Sequence, residues 1–552
     1  LERPWLRQWP GPVPRTIEYP KVSLAECLRK SAKADAEQVA IIYYGTRITY
    51  GKVDELVDRF ATALQGLGLG KGGRVAIYLP NMPQFVIAYY GILRAGGIAV
   101  CASPLYKERE LELMLNDTGA EILVAFDRLY PIVESVRKSA KVRTVVTTSV
   151  RDYLPPLLRT LSPLKGVKSY KCPGALDFAD LLKKKPPNPT PVQVTPDDVA
   201  VLAFSGGTTG TPKCAMLTHR NLVSNAAQTA SWLPVRPGNE IHVSALPFFH
   251  MYGQTTAMNT PVYTTTTMIV LPDPRDIGTI LKAIDKYKPT IFCGVPTLYV
   301  ALINRPDLSK YDLRSIRACI SGAAPLPVEV QRQFEKITGG RLVEGFGLTE
   351  TSPVSHCNPL DDPAKNRPGS IGIPFPDTES TIMDLETGKK ELRPGETGEL
   401  VIRGPQVMAG YWNKEDETRI VLRDGWLYTG DIAKMDEDGY FYIVDRKKDM
   451  IDVGGLKVWP REVEEVLYEH PAVREAAVIG ISDPVRIETV KAFVTLKPEF
   501  EGKVNAEELI RHCKSKIASY KAPTVVEFRK DLPKTAIGKI LRRALKQPSS
   551  ES

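Results

Sequence analysis

Apolar and polar positions alternate at two periods along the chain, and the change of period marks out its elements. Residues 39–50 read as a hairpin turning at Gly45-Thr46, followed by an amphipathic helix over 52–67. A strand over 74–79 ends at Pro80, and helix, strand, helix and strand then succeed one another over 84–94, 98–101, 108–116 and 122–126. That alternation predicts an α/β fold with layered, largely parallel sheets. Prolines and lysines thicken between 154 and 191, which reads as an irregular surface excursion. Within it, 154–161 is apolar with basic neighbours. A packed loop is the preferred reading and a membrane-contacting segment the alternative.

The α/β pattern resumes with strands expected at 267–271, 291–294 and 316–321, while 396–428 is β-rich with glycine and proline turns. From Asp449 onward a self-contained pattern follows: helix 460–469, strands 476–481 and 490–496, helix 506–517. Pro460 suits the first turn of its helix, where the missing N–H costs nothing. The fold class expected is therefore α/β, with a large N-terminal part of layered sheets, a β-rich subdomain and a small C-terminal α/β domain.

Composition narrows the function. A chain of 552 residues with 43% hydrophobic and 25% charged positions is globular and too long for one core. Its net charge of +9, from 73 basic and 64 acidic side chains, is spread too thinly to demand nucleic acid, though it tolerates anionic substrates. The eight cysteines are scattered without a CxxC pair, which predicts buried thiols of a reducing compartment and neither a disulfide framework nor a zinc site. The opening residues carry no signal-peptide pattern, and no uncharged apolar run reaches the roughly 18 residues of a spanning helix. A cytoplasmic location is expected, with peripheral contact at the inner membrane face kept open.

The candidate chemistry centres on Phe204-Ser205-Gly206-Gly207-Thr208-Thr209-Gly210-Thr211-Pro212-Lys213, after the apolar strand 199–204. Glycines let successive N–H groups converge on an anion, hydroxyls add donors and Lys213 adds positive charge. Pro212 keeps the loop from running directly into a helix, so this is not the common P-loop. Further polar motifs fall at predicted strand ends, where α/β sheets place ligands. Ser321-Gly322-Ala323-Ala324-Pro325 would let a flat ring approach the backbone. Glu344-Gly345-Phe346-Gly347-Leu348-Thr349-Glu350 offers an aromatic face, a hydroxyl and a carboxylate. Tyr428-Thr429-Gly430-Asp431 supplies a carboxylate for a vicinal diol, and Pro533-Lys534-Thr535-Ala536-Ile537-Gly538-Lys539 sets a lysine in a turn. Singly, each has a plain structural alternative: core for Phe346, a cap for Asp431, a solvated charge for Lys539.

Together and in this order, from near Val39 to Arg543, these motifs resemble the adenylate-forming superfamily of acyl-CoA synthetases, luciferase-like enzymes and adenylation domains. Within it, the opening 5–31, the run 81–116 and 344–359 are similar to AMP-forming long-chain fatty-acid–CoA ligases. Two positions depart from the family pattern: Gly206 stands where a serine or threonine is usual, and Cys214 where a glycine is usual.

The resemblance implies Mg-ATP-dependent formation of an acyl-adenylate with loss of pyrophosphate, followed by thioester formation with coenzyme A. It assigns the β- and γ-phosphates to Ser205, Gly206, Gly207, Thr208, Thr209, Gly210 and Lys213, and the α-phosphate to Thr349. It gives Mg²⁺ to Glu350 and the adenine to Gly322, Ala323, Ala324 and the Glu344-Gly345-Phe346-Gly347 strand end. The ribose falls to Asp431, helped by Arg446. Lys539 would bridge carboxylate and α-phosphate, and His250, in Pro247-Phe248-Phe249-His250-Met251-Tyr252-Gly253, would lie between the carboxylate and pyrophosphate sites. It also implies an adenylation domain over 1–445, a hinge over 446–448 with Lys448 as pivot, and a mobile C-terminal domain over 449–552, with Gly455 beside the pantetheine path. The substrate expected is a medium- or long-chain fatty acid. An aryl acid of hydroxycinnamate type is the alternative; a non-catalytic lipid-binding homologue and a luciferase-like oxygenase are remoter ones. Oligomeric state is left open.

Overall fold

A computed structural model describes residues 3–161, 170–205, 213–446, 449–453, 456–483, 486–534 and 540–546. They form two compact units, one of residues 9–379 and 403–422, the other of residues 1–8, 380–402 and 423–552.

The larger unit is built on three sheets. Among the described residues, the largest has eight strands. Arg74–Tyr78, Ile98–Cys101, Ile122–Phe126, Thr144–Thr148 and Val199–Ser205 run parallel through its centre, and Lys213–Thr218 and Gly410–Tyr411 close one edge antiparallel. The central strands are apolar on both faces, as a sheet covered on both sides requires. Ala76, Tyr78, Val100, Leu123, Leu202 and Cys214 share one side of it with Leu111, Leu115 and Val133. Cys214 has no exposed surface, and burial pushes its thiol far above the usual range. The departure from glycine at this position is thus taken up by the core.

A second sheet orders Ile241–Ser244, Thr267–Val270, Val39–Tyr43 and Thr46–Thr49; a third orders Ala318–Ser321, Arg341–Gly347, Val354–Cys357 and Ile373–Pro374. The expected strand at 291–294 is replaced by isolated bridges, from Ile291 to His242 and Ala318 and from Gly294 to Ser321. The hairpin at 39–50 also differs in detail. Its turn is Tyr44-Gly45, both left-handed at φ 48° and 97°, one residue earlier than the glycine suggested. A tyrosine at φ > 0 is uncommon, so sequence alone favours the wrong pair. The helix Pro83–Arg94 is buried at every position but its last, Arg94, as its lack of a polar face demands.

The helix His219–Trp232 is unusual in burying a polar stripe. Asn221, Asn225 and Gln228, spaced i, i+4 and i+7 on one face, are each at most 7% exposed. Asn225 donates to the Val354 carbonyl at 2.7 Å and accepts from the Val354 N–H at 3.0 Å. Asn221 donates to the carbonyls of Pro405 and Val407, and Gln228 to that of Pro376. One helix thereby holds two loops and the start of the strand Val354–Cys357 by their backbones. At its start, His219 accepts the Leu24 N–H on Nδ1, and burial holds its imidazole down to about 4, so the ring stays neutral.

In the smaller unit, Glu379–Met383, Thr397–Arg403, Trp426–Met435, Leu422–Arg423 and Phe441–Arg446 form the β-rich sheet foreseen for 396–428. The C-terminal sheet pairs the long strands Val473–Asp483 and Ile487–Leu496 and adds Val525–Phe528 parallel to the second. The helices Pro460–Tyr468 and Ala506–Lys516 pack on it through Val463, Leu467, Leu509 and Cys513. The short hairpin strands Ile451–Val453 and Leu456–Val458 have no clear signature in the sequence.

The amide stripe generates a stability prediction. Asn225→Leu keeps the volume but strands the buried N–H and C=O of Val354, each costing about 1–3 kcal/mol. Urea unfolding followed by tryptophan fluorescence should show a loss of about 2–6 kcal/mol, where an equal swap on an exposed helix face changes little.

Candidate active site

In the larger unit, the carboxyl ends of the parallel strands and the ends of the third sheet carry the candidate residues. Ser205 ends the strand Val199–Ser205, and Lys213, its partner in register, starts the antiparallel return strand. The loop is therefore the connection of a hairpin; its residues Gly206, Gly207, Thr208, Thr209 and Gly210 lie outside the described residues. Lys213 Nζ lies 2.6 Å from Glu417 and 5.2 Å from the ring centre of Tyr411. The ammonium also holds the Glu417 carboxyl below its ordinary range.

Tyr411 connects this lysine to the second motif. Its hydroxyl donates to Glu350 Oε1 at 2.9 Å, and the Met408 N–H donates to the Glu350 carbonyl at 2.8 Å. Thr349 and Glu350 open a single 3₁₀ turn, Thr349–Thr351, directly after the strand Arg341–Gly347. Asn225 holds Val354, at the start of the strand that follows that turn. Nothing in the spacing of the sequence joins Tyr411 or Glu417 to Lys213 and Glu350. The edge strand Gly410–Tyr411, paired with Lys213–Thr218, and the helix Glu415–Val421 after it bring them together.

The third motif meets the second along the same sheet. Gly322 follows the strand Ala318–Ser321, and Ala323 sits in the left-handed region at φ 68°. A Cβ on Gly322 would lie 3.0 Å from the Tyr252 ring, so glycine is what lets this turn close over the tyrosine. Ala323 and Ala324 are half-buried. Glu344 is buried and accepts the Leu326 N–H at 3.0 Å, which fixes the far end of the same turn. Phe346 is half-buried beside His356, its ring centre 6.1 Å away. Gly345 and Gly347 are tightly enclosed: a Cβ would meet Ile320 at 2.7 Å in the first case and the Pro353 carbonyl at 1.8 Å in the second.

His250 caps the short helix Met251–Gln254, its Nδ1 accepting from the Tyr252 N–H at 3.2 Å. The loop before it is held by buried Asn81, which donates to the carbonyls of Ser244 and Leu246 and accepts from the Phe248 N–H. Tyr252 donates to the Ile320 carbonyl, and Thr255 to the Ser352 carbonyl at 2.6 Å. The histidine motif, the Gly322 turn and the Glu350 turn are thus one hydrogen-bonded assembly. The segment from Met251 continues into a buried π-helical turn, Thr255–Asn259.

In the smaller unit, Asp431 is 1% exposed and lies opposite Arg446 in the register of two antiparallel strands. Its N–H donates to Thr429 Oγ1, and Thr429 in turn donates to the Leu400 carbonyl. Lys448, Gly455 and Lys539 lie outside the described residues. Among the described residues there is no cluster of three or more histidine, cysteine or acidic side chains able to hold a metal by themselves. The cysteines are unpaired, and all but Cys172 are buried.

Comparison with known proteins accounts for this set of motifs. Residues 28–412 match the model of the AMP-binding enzymes, and residues 462–539 that of the AMP-binding enzyme C-terminal domain. The long-chain-fatty-acid–CoA ligase of Bacillus subtilis is 46% identical, the alignment covering 100% of this chain and 99% of the relative. That of Yersinia pestis is 41% identical over 99% and 98%. Among solved structures, an anthranilate CoA ligase in complex with anthranoyl-AMP superposes with a TM-score of 0.84 at 30% identity, covering 95% of this chain and 96% of that one. The chain belongs to the AMP-binding enzymes, the adenylate-forming superfamily that its strand-end motifs resemble.

Proposed function

We propose that the protein is an AMP-forming ligase that joins a medium- or long-chain fatty acid to coenzyme A. The observation that carries this reading is full-length identity of 46% to a relative named for that activity. The assembly of His250, Gly322, Thr349 and Glu350 motifs on adjoining strand ends supports it.

In the first step a carboxylate oxygen of the fatty acid attacks the α-phosphate of ATP, forming the acyl-adenylate and releasing pyrophosphate. Charge builds on groups already anionic, so positioning and positive charge do the catalytic work. Lys213 and the hairpin loop after Ser205 hold the β- and γ-phosphates. Lys213 now faces Glu417 at 2.6 Å, a carboxylate that a bound phosphate would have to displace as its partner. Thr349 donates to the α-phosphate, and Lys539 bridges it to the substrate carboxylate. Gly322, Ala323 and Ala324 frame the adenine beside Phe346, and Asp431 accepts the ribose hydroxyls with Arg446 beside it.

Glu350 fits a hard cation. It offers carboxylate oxygens beside a neutral hydroxyl, and Mg²⁺ bound to a nucleotide takes few protein ligands. Bound there, Mg²⁺ would offset phosphate charge.

In the second step the thiol of coenzyme A attacks the acyl carbon and AMP leaves. A hinge over 446–448, pivoting at Lys448, turns the domain 449–552 for this step, with Gly455 beside the thiol's path. An aryl acid remains the second reading, favoured by the likeness to an anthranilate CoA ligase.

Two experiments follow. Saturated C8–C18 acids competed against hydroxycinnamates should give acid-dependent AMP and pyrophosphate, with the aliphatic acids preferred at least tenfold in kcat/KM, which corresponds to about 1.4 kcal/mol. Preference for the aryl acids replaces the first reading by the second; ADP as product removes both. For membrane contact, the helix Pro156–Leu161 exposes Leu157 at 71% and Leu161 at 37% beside Arg159. We propose that it touches an anionic bilayer while capturing fatty acid; no described helix is long and apolar enough to cross one. Leu157→Ser with Leu161→Ser should reduce co-sedimentation with phosphatidylglycerol vesicles severalfold without altering activity on soluble acyl substrate, and unchanged co-sedimentation rejects the contact.

A further inference from the structure

Arg542 follows Lys539 by three residues, and its guanidinium is surrounded by carboxylates drawn from three places in the chain. It grips Glu464 with two parallel bonds, Nε at 3.0 Å and Nη2 at 2.6 Å. Its Nη1 reaches Asp445 at 3.1 Å and Asp449 at 3.4 Å. Glu464 belongs to the helix Pro460–Tyr468 and also accepts the Val478 N–H at 2.8 Å, so Arg542 is tied firmly into the C-terminal sheet. Leu545, at the end of the same short helix, packs with Ala477, Ile479, Phe493 and Leu532.

Asp445 is the member that stands apart. It lies in the strand Phe441–Arg446, paired in register with Ile432 of Trp426–Met435, on the near side of the expected hinge. Its side chain is only 2% exposed, and both oxygens are used on groups beyond that hinge. Oδ1 accepts from Arg542, and Oδ2 accepts the Arg461 N–H at the first turn of the helix Pro460–Tyr468, at 2.7 Å. A carboxylate at a helix N-terminus is favoured by the helix dipole as well as by the hydrogen bond. The guanidinium of Arg461 goes elsewhere, to Glu465.

We propose that Arg542 is a positioning residue, and that its pairing with Asp445 latches the C-terminal part in one of the two orientations that the two half-reactions require. The proposal rests on the ligase reading for its two half-reactions, while the contacts themselves do not. Two bonds from one buried carboxylate form only when the helix Pro460–Tyr468 and Arg542 both stand against the strand Phe441–Arg446. Turning the domain about residues 446–448 separates them. Glu464 and Asp449 travel with Arg542 and keep it paired in either state. The latch therefore sets an equilibrium between orientations and leaves the C-terminal fold intact.

The test uses the full-length chain with Asp445→Asn, which retains an acceptor for the Arg461 N–H but loses the charge, and Arg542→Lys, which keeps the charge but loses the paired grip on Glu464. Spin labels on exposed positions Glu437 and Glu507 report the orientation whatever the enzyme ligates. Single-turnover rates of pyrophosphate release without coenzyme A, and of acyl-CoA formation from supplied acyl-adenylate, report the two steps. Asp445→Asn should add a second distance population and change the ratio of the two rates at least about fivefold, with Arg542→Lys shifting it in the same direction. A label distance distribution like that of the unsubstituted protein, or a smaller change in the ratio, overturns the proposal. If no acid is ligated at all the ligase reading fails, and the label distances still decide the latch.

Discussion

The larger unit depends on a stripe of buried amides. A helix that buries Asn221, Asn225 and Gln228 gives up apolar contact on that face, and the loss is tolerable only because each amide satisfies backbone groups of another segment. Loops cannot supply their own hydrogen bonds as strands do, so a buried loop end needs such a partner. Val354 at the start of the strand Val354–Cys357, the segment at 376–378 and the loop leading to Tyr411 all receive such bonds from this one helix. Asn81 does the same for the loop before His250.

The same economy appears in the charges. Lys213 and Glu350 are bridged through Tyr411, with Glu417 as the lysine's counter-ion. Such an arrangement keeps a partly buried lysine neutralised until an anionic ligand competes for it. On the proposed reading, a nucleotide exchanges that carboxylate for phosphate oxygens, which form stronger charge-assisted bonds. In the smaller unit Arg542 meets three carboxylates, and burial raises the Glu464 carboxyl above its ordinary range despite that partner.

Much of this was legible in the sequence, and the reasons differ by element. Four parallel strands of the large sheet, at 74–78, 98–101, 122–126 and 199–205, are short apolar runs that period and length locate to within a residue or two, whereas Thr144–Thr148 was not read as a strand. The tight enclosure of Gly345 and Gly347, by Ile320 and the Pro353 carbonyl, was not read from the sequence, because the atoms that approach them come from other segments. Nor was the strand Lys213–Thr218. It begins inside a motif that reads as a loop, and its pairing partner is set by the hairpin rather than by its own pattern. The segment 291–294 looks like a strand but makes only isolated bridges, because neighbours on either side fix it at single residues. Tyr411, Glu417 and Asp445 were invisible as site neighbours, since each acts through a contact far away in sequence. Long-range pairing is the information a period cannot carry.

The central claim is that a fatty acid carboxylate attacks the α-phosphate of ATP, and isotope transfer tests it most directly. Palmitate carrying ¹⁸O in both carboxylate oxygens, incubated with the protein, ATP, Mg²⁺ and coenzyme A, should give AMP with one labelled oxygen per turnover and unlabelled pyrophosphate, because the bridging oxygen leaves with the adenylate. Label found in inorganic phosphate, with ADP as the nucleotide product, would place the attack on the γ-phosphate and contradict the account.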